Sequence, residues 1–108
     1  MIEARIIRIL SDIVGKENVT TQKADLLCYS YDATQLKFLP DVVVHPLTAD
    51  EISLIMKMAN AEKIPVFPRG AGSGFTGGSL PVTGGIVLAT ERMNRIIDID
   101  GENLVATV

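Results

Sequence analysis

A glycine-rich segment in the second half of the chain constrains fold and function more than any other feature. Residues 68–79 have the sequence PRGAGSGFTGGS, with glycine at five of these twelve positions. Glycine adopts positive φ without a steric penalty and lets a ligand approach the backbone closely. Consecutive N–H groups in such a loop can face one concavity and bind an anion. The segment therefore predicts a site for a diphosphate, with Ser73, Thr76 and Ser79 as additional hydroxyl donors.

Other interpretations of this segment fit the neighbouring residues less well. Residues 72–77 match the G-x-G-x-x-G pattern of dinucleotide-binding loops, but such a loop opens into a helix. Here Leu80 and Pro81 are followed by VTGG at 82–85, which disfavours a helix. No GK[ST] sequence follows, so a Walker loop is excluded. A mobile glycine turn between strands stays open as an alternative, although Arg69 and the length of the run argue against it.

The residues before the loop predict a β-α-β unit with parallel strands. Residues 42–44 are three valines, a run typical of a strand. Residues 48–51 (TADE) have the spacing of a capping box, and Pro65 ends the helix that follows, so we predict a helix over about 49–62. Its apolar stripe is formed by Ile52, Ile55, Met56 and Ala59. Residues 65–67 predict the second strand.

The N-terminal residues predict a helical segment. Ile2, Ile6, Ile9 and Ile13 recur at helical spacing. They indicate an amphipathic helix over residues 2–14, with Gly15 at the position of a left-handed C-cap. Residues 18–40 mix hydroxyl, acidic and isolated apolar side chains, which predicts a short helix and irregular chain.

Three further strands are predicted after the loop, over residues 86–89, 95–99 and 104–108. The sequence DGEN at 100–103 predicts the turn between the last two. The fold class is therefore α+β, with an N-terminal helix, a β-α-β unit and following strands. The last strand ends without a turn or polar tail, so we expect a truncated domain whose remaining strands lie beyond residue 108.

Composition and charge exclude several classes of protein. Apolar residues make up 47% and charged residues 21% of the chain, as in globular domains and unlike disordered segments. The net charge is -3 and the basic residues are scattered, so no nucleic-acid partner is predicted. The N-terminus lacks the apolar run of a signal peptide or a membrane span. We therefore predict a cytoplasmic protein without a transmembrane segment.

No metal site and no catalytic residue are predicted in this chain. A single cysteine, Cys28, and a single histidine, His45, leave no cluster at metal-ligand spacing. His45 lies between a predicted strand and Pro46, where a structural role is commoner than catalysis. The acidic residues of 98–102 are too few for a calcium loop and indicate a solvated turn.

Four segments, in this order and spacing, together resemble a known family. They are VVVHPLTADEIS (42–53), IPVFPRGAGSGFTGGSLP (64–81), GGIVLA (84–89) and RMNRIIDID (92–100). They are similar to the FAD-binding domain of the vanillyl-alcohol oxidase and p-cresol methylhydroxylase (PCMH) superfamily. Upstream, YSYDAT (29–34) resembles the branch that contains the flavin subunit of glycolate oxidase and the FAD-linked D-lactate dehydrogenases.

This resemblance implies two parts of a PCMH-type domain and a set of cofactor-binding residues. Residues 1–41 would be an N-terminal helical segment, and residues 42–108 the N-terminal, incomplete part of the FAD-binding domain. The loop would hold the FAD diphosphate mainly by backbone N–H groups. The implied cofactor-binding residues are Pro68, Arg69, Gly70, Ala71, Gly72, Ser73, Gly74, Thr76, Gly77, Gly78 and Ser79. Arg69 has an alternative implied role, in which it braces the loop.

The resemblance also implies an activity. Members of this branch oxidise small 2-hydroxy acids, of the glycolate or D-lactate type, to 2-oxo acids, and the resemblance implies that their catalytic residues lie in parts absent from this chain. We therefore expect this chain alone to be inactive. The implied partners are FAD, the 2-hydroxy acid bound by a further domain, and an iron–sulfur subunit as in glycolate-oxidase-like complexes. The alternatives are a half-domain that acts only in subunit association, and a module that binds another diphosphate ligand.

Overall fold

A computed structural model describes residues 2–74 and 77–108 of the chain. Three helices and six strands occur in these residues, with a short 3-10 helix at Lys16–Asn18. In chain order they are α1 (Ala4–Val14), β1 (Val19–Thr20), α2 (Lys23–Cys28), β2 (Val42–Val44), α3 (Ala49–Glu62), β3 (Val66–Arg69), β4 (Ile86–Ala89), β5 (Asp98–Asp100) and β6 (Val105–Thr107). The mixture of helices and strands confirms the α+β prediction.

The first four strands form one sheet in the order β1-β2-β4-β3. β2 and β3 both run parallel to β4, and β1 pairs antiparallel with β2. The predicted parallel β-α-β unit is confirmed. However, its two strands are not neighbours, because β4 lies between them and forms hydrogen bonds with both.

Both faces of the sheet are covered, so its central strands are buried on each side. Helices α1 and α3 pack on one face against the side chains of Val42, Val44, Ile86 and Leu88. On the other face, Leu26 of α2 packs against Val43, Val87 and Ala89. A strand that is buried on both faces needs an apolar residue at each position, and the sequences of β2 and β4 have this pattern.

Helix α1 buries a different stripe from the predicted one. The deepest side chains are Ile6, Leu10 and Val14, whereas Ile9 and Ile13 are only partly buried at the margin of the core. The apolar face of α1 is wide enough for the buried and the partly buried side chains both to contact the core. Helical spacing alone therefore did not identify which of them lie at its centre. The predicted left-handed C-cap is also wrong, because Gly15 has a positive φ of 94° but an extended ψ of 142°.

Helix α3 begins and ends where the sequence predicts. The Thr48 hydroxyl accepts a hydrogen bond from the Glu51 N–H at 3.2 Å, and the Glu51 carboxylate accepts one from the Leu47 N–H at 2.7 Å. The second bond goes to the residue before the cap, one position earlier than in a standard capping box. Ile55 is buried, but Met56 is 45% exposed, so its place in the predicted apolar stripe is wrong.

Removal of the α3 cap is expected to cost about 1 kcal/mol of the free energy of unfolding. The change is Thr48→Ala, which removes the acceptor for the Glu51 N–H. Thr21→Ala is the matched control, because Thr21 is exposed and its hydroxyl makes no hydrogen bond to the described residues. Urea unfolding followed by circular dichroism measures both; equal effects would contradict the assigned cap.

The last two strands form a separate antiparallel hairpin outside the main sheet. Both are shorter than predicted, at Asp98–Asp100 and Val105–Thr107, and the first begins at Asp98 instead of Arg95 and includes Asp100. The predicted turn between them is confirmed, and the Asp100 carboxylate accepts hydrogen bonds from the N–H groups of Glu102 and Asn103. In the part of the chain that the structure describes, no helix is long and apolar enough to cross a membrane.

Candidate functional site

The carboxyl ends of the three parallel strands lie at one edge of the sheet. The glycine-rich segment follows β3 directly, His45 follows β2, and Thr90 follows β4. Thr90 donates a backbone hydrogen bond to the Arg69 carbonyl at 3.0 Å, which fixes the start of the glycine-rich segment. Ligands of parallel α/β sheets bind at this edge, because the loops that leave it converge there.

The glycines of this segment do not all serve the same purpose. Gly72 and Gly77 adopt φ values of 72° and 76°, in the left-handed region that favours glycine. Gly70 and Gly74 lie outside that region, and a Cβ built on either would meet no atom of the described residues within 4 Å. Gly72 and Gly77 therefore bend the chain, whereas Gly70 and Gly74 leave open space, among the described residues, where a side chain would lie.

The first part of the loop has an unusual run of free donors. The N–H groups of residues 70–74 donate to no protein acceptor among the described residues. Gly70, Ala71, Ser73 and Gly74 are exposed, and Gly72 is half-buried. Five consecutive unpaired N–H groups on an exposed loop are the donors that a phosphate or diphosphate requires.

Arg69 lies beneath the loop instead of on its surface. Its side chain is buried, and Nη1 donates a hydrogen bond to the Tyr31 carbonyl at 2.6 Å. The guanidinium carbon lies 5.6 Å and 5.7 Å from the ring centres of Tyr29 and Tyr31. The group is thus held between two aromatic rings, an arrangement that the planar guanidinium favours.

Asp32 is a second buried charge next to the loop. Its Oδ1 accepts hydrogen bonds from the hydroxyl and the N–H of Thr34. Its Oδ2 is buried and makes no hydrogen bond to the described residues. The Thr34 hydroxyl lowers the pKa of Asp32 most, and the N–H groups of Thr34 and Gly77 and the charge of Arg69 lower it further against the opposing effect of burial. Asp32 is therefore ionised at neutral pH.

A polar cluster joins α2 to the ends of β2 and β4. The Tyr29 hydroxyl contacts His45 Nε2 at 2.9 Å and donates to the Glu91 carboxylate at 2.8 Å. Burial, together with the bond to Glu91, raises the pKa of Tyr29 to about 12. The His45 carbonyl accepts a hydrogen bond from Arg92 at 3.0 Å. His45 is thus bonded within the scaffold through both its ring and its backbone.

The structure keeps most of the predicted cofactor-binding residues on one exposed segment. Exposed or half-buried members are Pro68, Gly70, Ala71, Gly72, Ser73, Gly74, Gly77, Gly78 and Ser79. Arg69 is buried, and Thr76 lies outside the described residues.

Sequence reasoning missed the residues that lie under the loop, chiefly Asp32 and Ala33. Their only signal was their place in the YSYDAT segment, whose resemblance to one family branch carried no assigned role. No helix follows the loop, because Leu80 and Pro81 are buried in a turn, as the sequence predicts.

These features define a class of protein, an α+β domain with an exposed glycine-rich loop at the carboxyl edge of a mostly parallel sheet. The family model described as "FAD binding domain" matches residues 40–108. The chain belongs to this family, and its cofactor is FAD.

Relatives in sequence are named as a glycolate oxidase subunit and as D-lactate dehydrogenases. The chain is 45% identical over 100 residues to the glycolate oxidase subunit GlcD of Bacillus subtilis, an alignment that covers 92% of the chain and 21% of that protein. It is 49% identical over 65 residues to a D-lactate dehydrogenase of Archaeoglobus fulgidus, covering 60% of the chain and 14% of that protein. The chain therefore spans about a fifth of the length of these relatives or less.

Solved structures confirm the PCMH-type fold. p-Cresol methylhydroxylase with bound substrate superposes with a TM-score of 0.78 at 26% identity, covering 89% of this chain and 20% of that one. Alkyldihydroxyacetonephosphate synthase gives a TM-score of 0.84 at 20% identity, covering 98% and 24%. The second similarity is one of fold alone.

Proposed function

We propose that residues 68–79 bind the diphosphate of FAD in an oxidoreductase that converts a small 2-hydroxy acid to the 2-oxo acid. The run of N–H groups at residues 70–74, which donate to no acceptor among the described residues, carries this proposal. The names of the relatives support the substrate class, with glycolate and D-lactate as the candidates. FAD supplies the hydride-accepting chemistry, and the protein binds and orients it.

Within the loop, the proposed contacts are mainly those of the backbone. Gly70, Gly72 and Gly74 have no side chain of their own, and their N–H groups donate to no acceptor among the described residues. Ser73 and Ser79 add hydroxyl donors. We also propose that the Thr76 hydroxyl donates to the diphosphate, as the sequence predicts. Of the two roles that the sequence left open for Arg69, its burial favours the brace.

The remaining proposals concern the whole protein. We propose that residues 42–108 are the N-terminal part of the FAD-binding domain and that residues 1–41 are a helical segment packed onto it. The 2-hydroxy acid is bound by a further domain, and an iron–sulfur subunit is the proposed partner protein. The proposed location is the cytoplasm, which cell fractionation tests.

Titration of the purified chain with FAD, followed by quenching of flavin fluorescence, tests the loop assignment. We expect saturable binding that weakens roughly tenfold or more in Gly70→Ala and Gly74→Ala, a loss of about 1.4 kcal/mol or more. Both substitutions meet empty space in the free chain, so they should block the ligand without disturbing the fold. Gly101→Ala is the matched control, because its Cβ also meets no atom within 4 Å, but in the distant β5–β6 turn.

Two results would count against the proposal. If a chain shown to be folded by circular dichroism did not bind FAD, the loop would not form a site in this chain. If binding persisted undiminished in both loop variants, FAD would bind elsewhere. Binding of pyrophosphate without any preference for FAD would favour the alternative of another diphosphate ligand.

Subunit association is a second candidate function, favoured by the β5–β6 hairpin. Ile97, Ile99 and Leu104 are 59%, 70% and 91% exposed, and association that buried such apolar side chains would be favourable. Sedimentation of the chain over a range of concentrations tests it, and a monomer throughout would exclude it.

A further inference from the structure

A short segment near the N-terminus lies directly under the glycine loop. This segment, residues 29–34, is called the floor below. The Ala33 N–H donates a hydrogen bond to the Gly74 carbonyl at 3.1 Å, in the middle of the loop. The Tyr31 carbonyl accepts from Arg69 Nη1, where the loop begins. Asp32, between these two residues, is buried, and its Oδ2 makes no hydrogen bond to the described residues. The floor therefore contacts the loop at its start and in its middle.

Arg69 explains why the first bend requires glycine. A Cβ built on Gly72 would lie 2.1 Å from Nη2 of Arg69 and 2.4 Å from its guanidinium carbon. The guanidinium cannot easily move aside, because it is bonded to the Tyr31 carbonyl and lies between two rings. At Gly77 the φ value is nearly the same, but among the described residues a Cβ would meet Leu80 alone, at 3.6 Å. The two bends thus carry similar backbone strain, and among the described contacts the steric conflict is at Gly72.

Charge links the floor to the loop as well. Among the ion pairs of the described residues, none involves Arg69 or Asp32. Arg69 instead meets a polar group of the floor, the Tyr31 carbonyl, whereas Asp32 keeps one buried oxygen without a partner among the described residues. A buried charge without polar partners is strongly disfavoured, so Arg69 holds the Tyr31 backbone in place, and the Oδ2 of Asp32 favours an N–H donor of the loop beside it.

We infer that the floor shapes the FAD-binding loop and that Arg69 and Asp32 are positioning residues, which support it from below without touching the cofactor. The inference rests on the proposed function of the loop. The floor lies before residue 40, where the match to the FAD binding domain family begins. The cofactor site of this chain accordingly extends beyond the matched region.

A double-mutant cycle tests the contact between Arg69 and Gly72 without using FAD. Urea unfolding is measured for the full chain, Gly72→Ala, Arg69→Lys and the double variant, with Gly77→Ala as the matched control for backbone strain. We expect Gly72→Ala to lower the folding equilibrium constant roughly tenfold more than Gly77→Ala. In the Arg69→Lys background this excess should disappear, because the slimmer side chain can leave the space that the new Cβ needs. Additive effects of the two changes would overturn the inference.

FAD affinity provides the second measurement. Asp32→Asn keeps the shape and the Thr34 bond but removes the charge, so we expect FAD affinity to fall roughly fivefold or more while the unfolding midpoint changes little. Asp12→Asn, on the exposed face of α1, is the control. An unchanged affinity, or a loss matched by general destabilisation, would overturn the positioning role of Asp32. If the unaltered chain bound no FAD, the proposed function and the cofactor role of the floor would both fail, whereas the unfolding cycle would still decide whether the floor shapes the loop.

Discussion

Gly85→Ala is expected to destabilise the chain by about 3 kcal/mol, from left-handed strain and overpacking together. Gly85 is buried at the start of β4 with a φ of 90°. A Cβ there would lie 2.5 Å from the Pro65 carbonyl oxygen, which is backbone and itself accepts the Ile86 N–H at 3.0 Å. Relief of the overlap would therefore separate β3 from β4.

The neighbouring contacts make this separation costly. The Gly85 N–H donates to the Asp41 carboxylate at 2.7 Å, and the Gly85 carbonyl accepts from the Asp41 N–H at 2.9 Å. Urea unfolding followed by circular dichroism measures the effect. Gly101→Ala is the control, with an expected change within about 0.5 kcal/mol, typical of an exposed position. Similar midpoints for the two variants would contradict the assigned packing of Gly85.

Leu10→Ala is expected to lower the free energy of unfolding by about 3 kcal/mol, the second large effect. Leu10 is completely buried in α1, where it packs in the same core cluster as Val42, Ile55 and Ile86. Truncation leaves a cavity between the helix and the sheet, which adds to the lost transfer free energy. The effect would show that the N-terminal segment is part of the core that supports the loop.

Leu54→Ala is the matched control for this change. Leu54 also lies in a helix, but it is 52% exposed, so its truncation removes little buried surface. Chemical unfolding of the two variants under the same conditions gives the comparison. If Leu10→Ala unfolded at the same urea concentration as Leu54→Ala, α1 would not be packed on the sheet as described.

The elements predicted best are those whose signals are local. Helix α3 has its cap at Thr48 and its end just before Pro65, within the sequence that forms it. The glycine loop follows a strand and is not followed by a helix, as the residues at 80–85 predict. The β5 strand begins at Asp98 instead of the predicted Arg95 and pairs with β6.

The floor could not be predicted in the same way. Arg69 and Tyr31 are separated by 38 positions in sequence, and Ala33 and Gly74 are further apart still. No periodicity or motif joins residues at such separations. Met56 shows the same limit of sequence-based prediction. Helical spacing placed it in the apolar stripe, but in the structure its side chain is exposed.

The sequence by itself determined the α+β class, the position of the loop and its suitability for a diphosphate, because glycine, proline and capping residues act on their own neighbourhood. The tertiary structure alone decided that β4 lies between β2 and β3, that Arg69 turns under the loop, and that residues 29–34 support it. These arrangements depend on pairing and burial between distant segments, which stabilise the chain only once the whole core has formed.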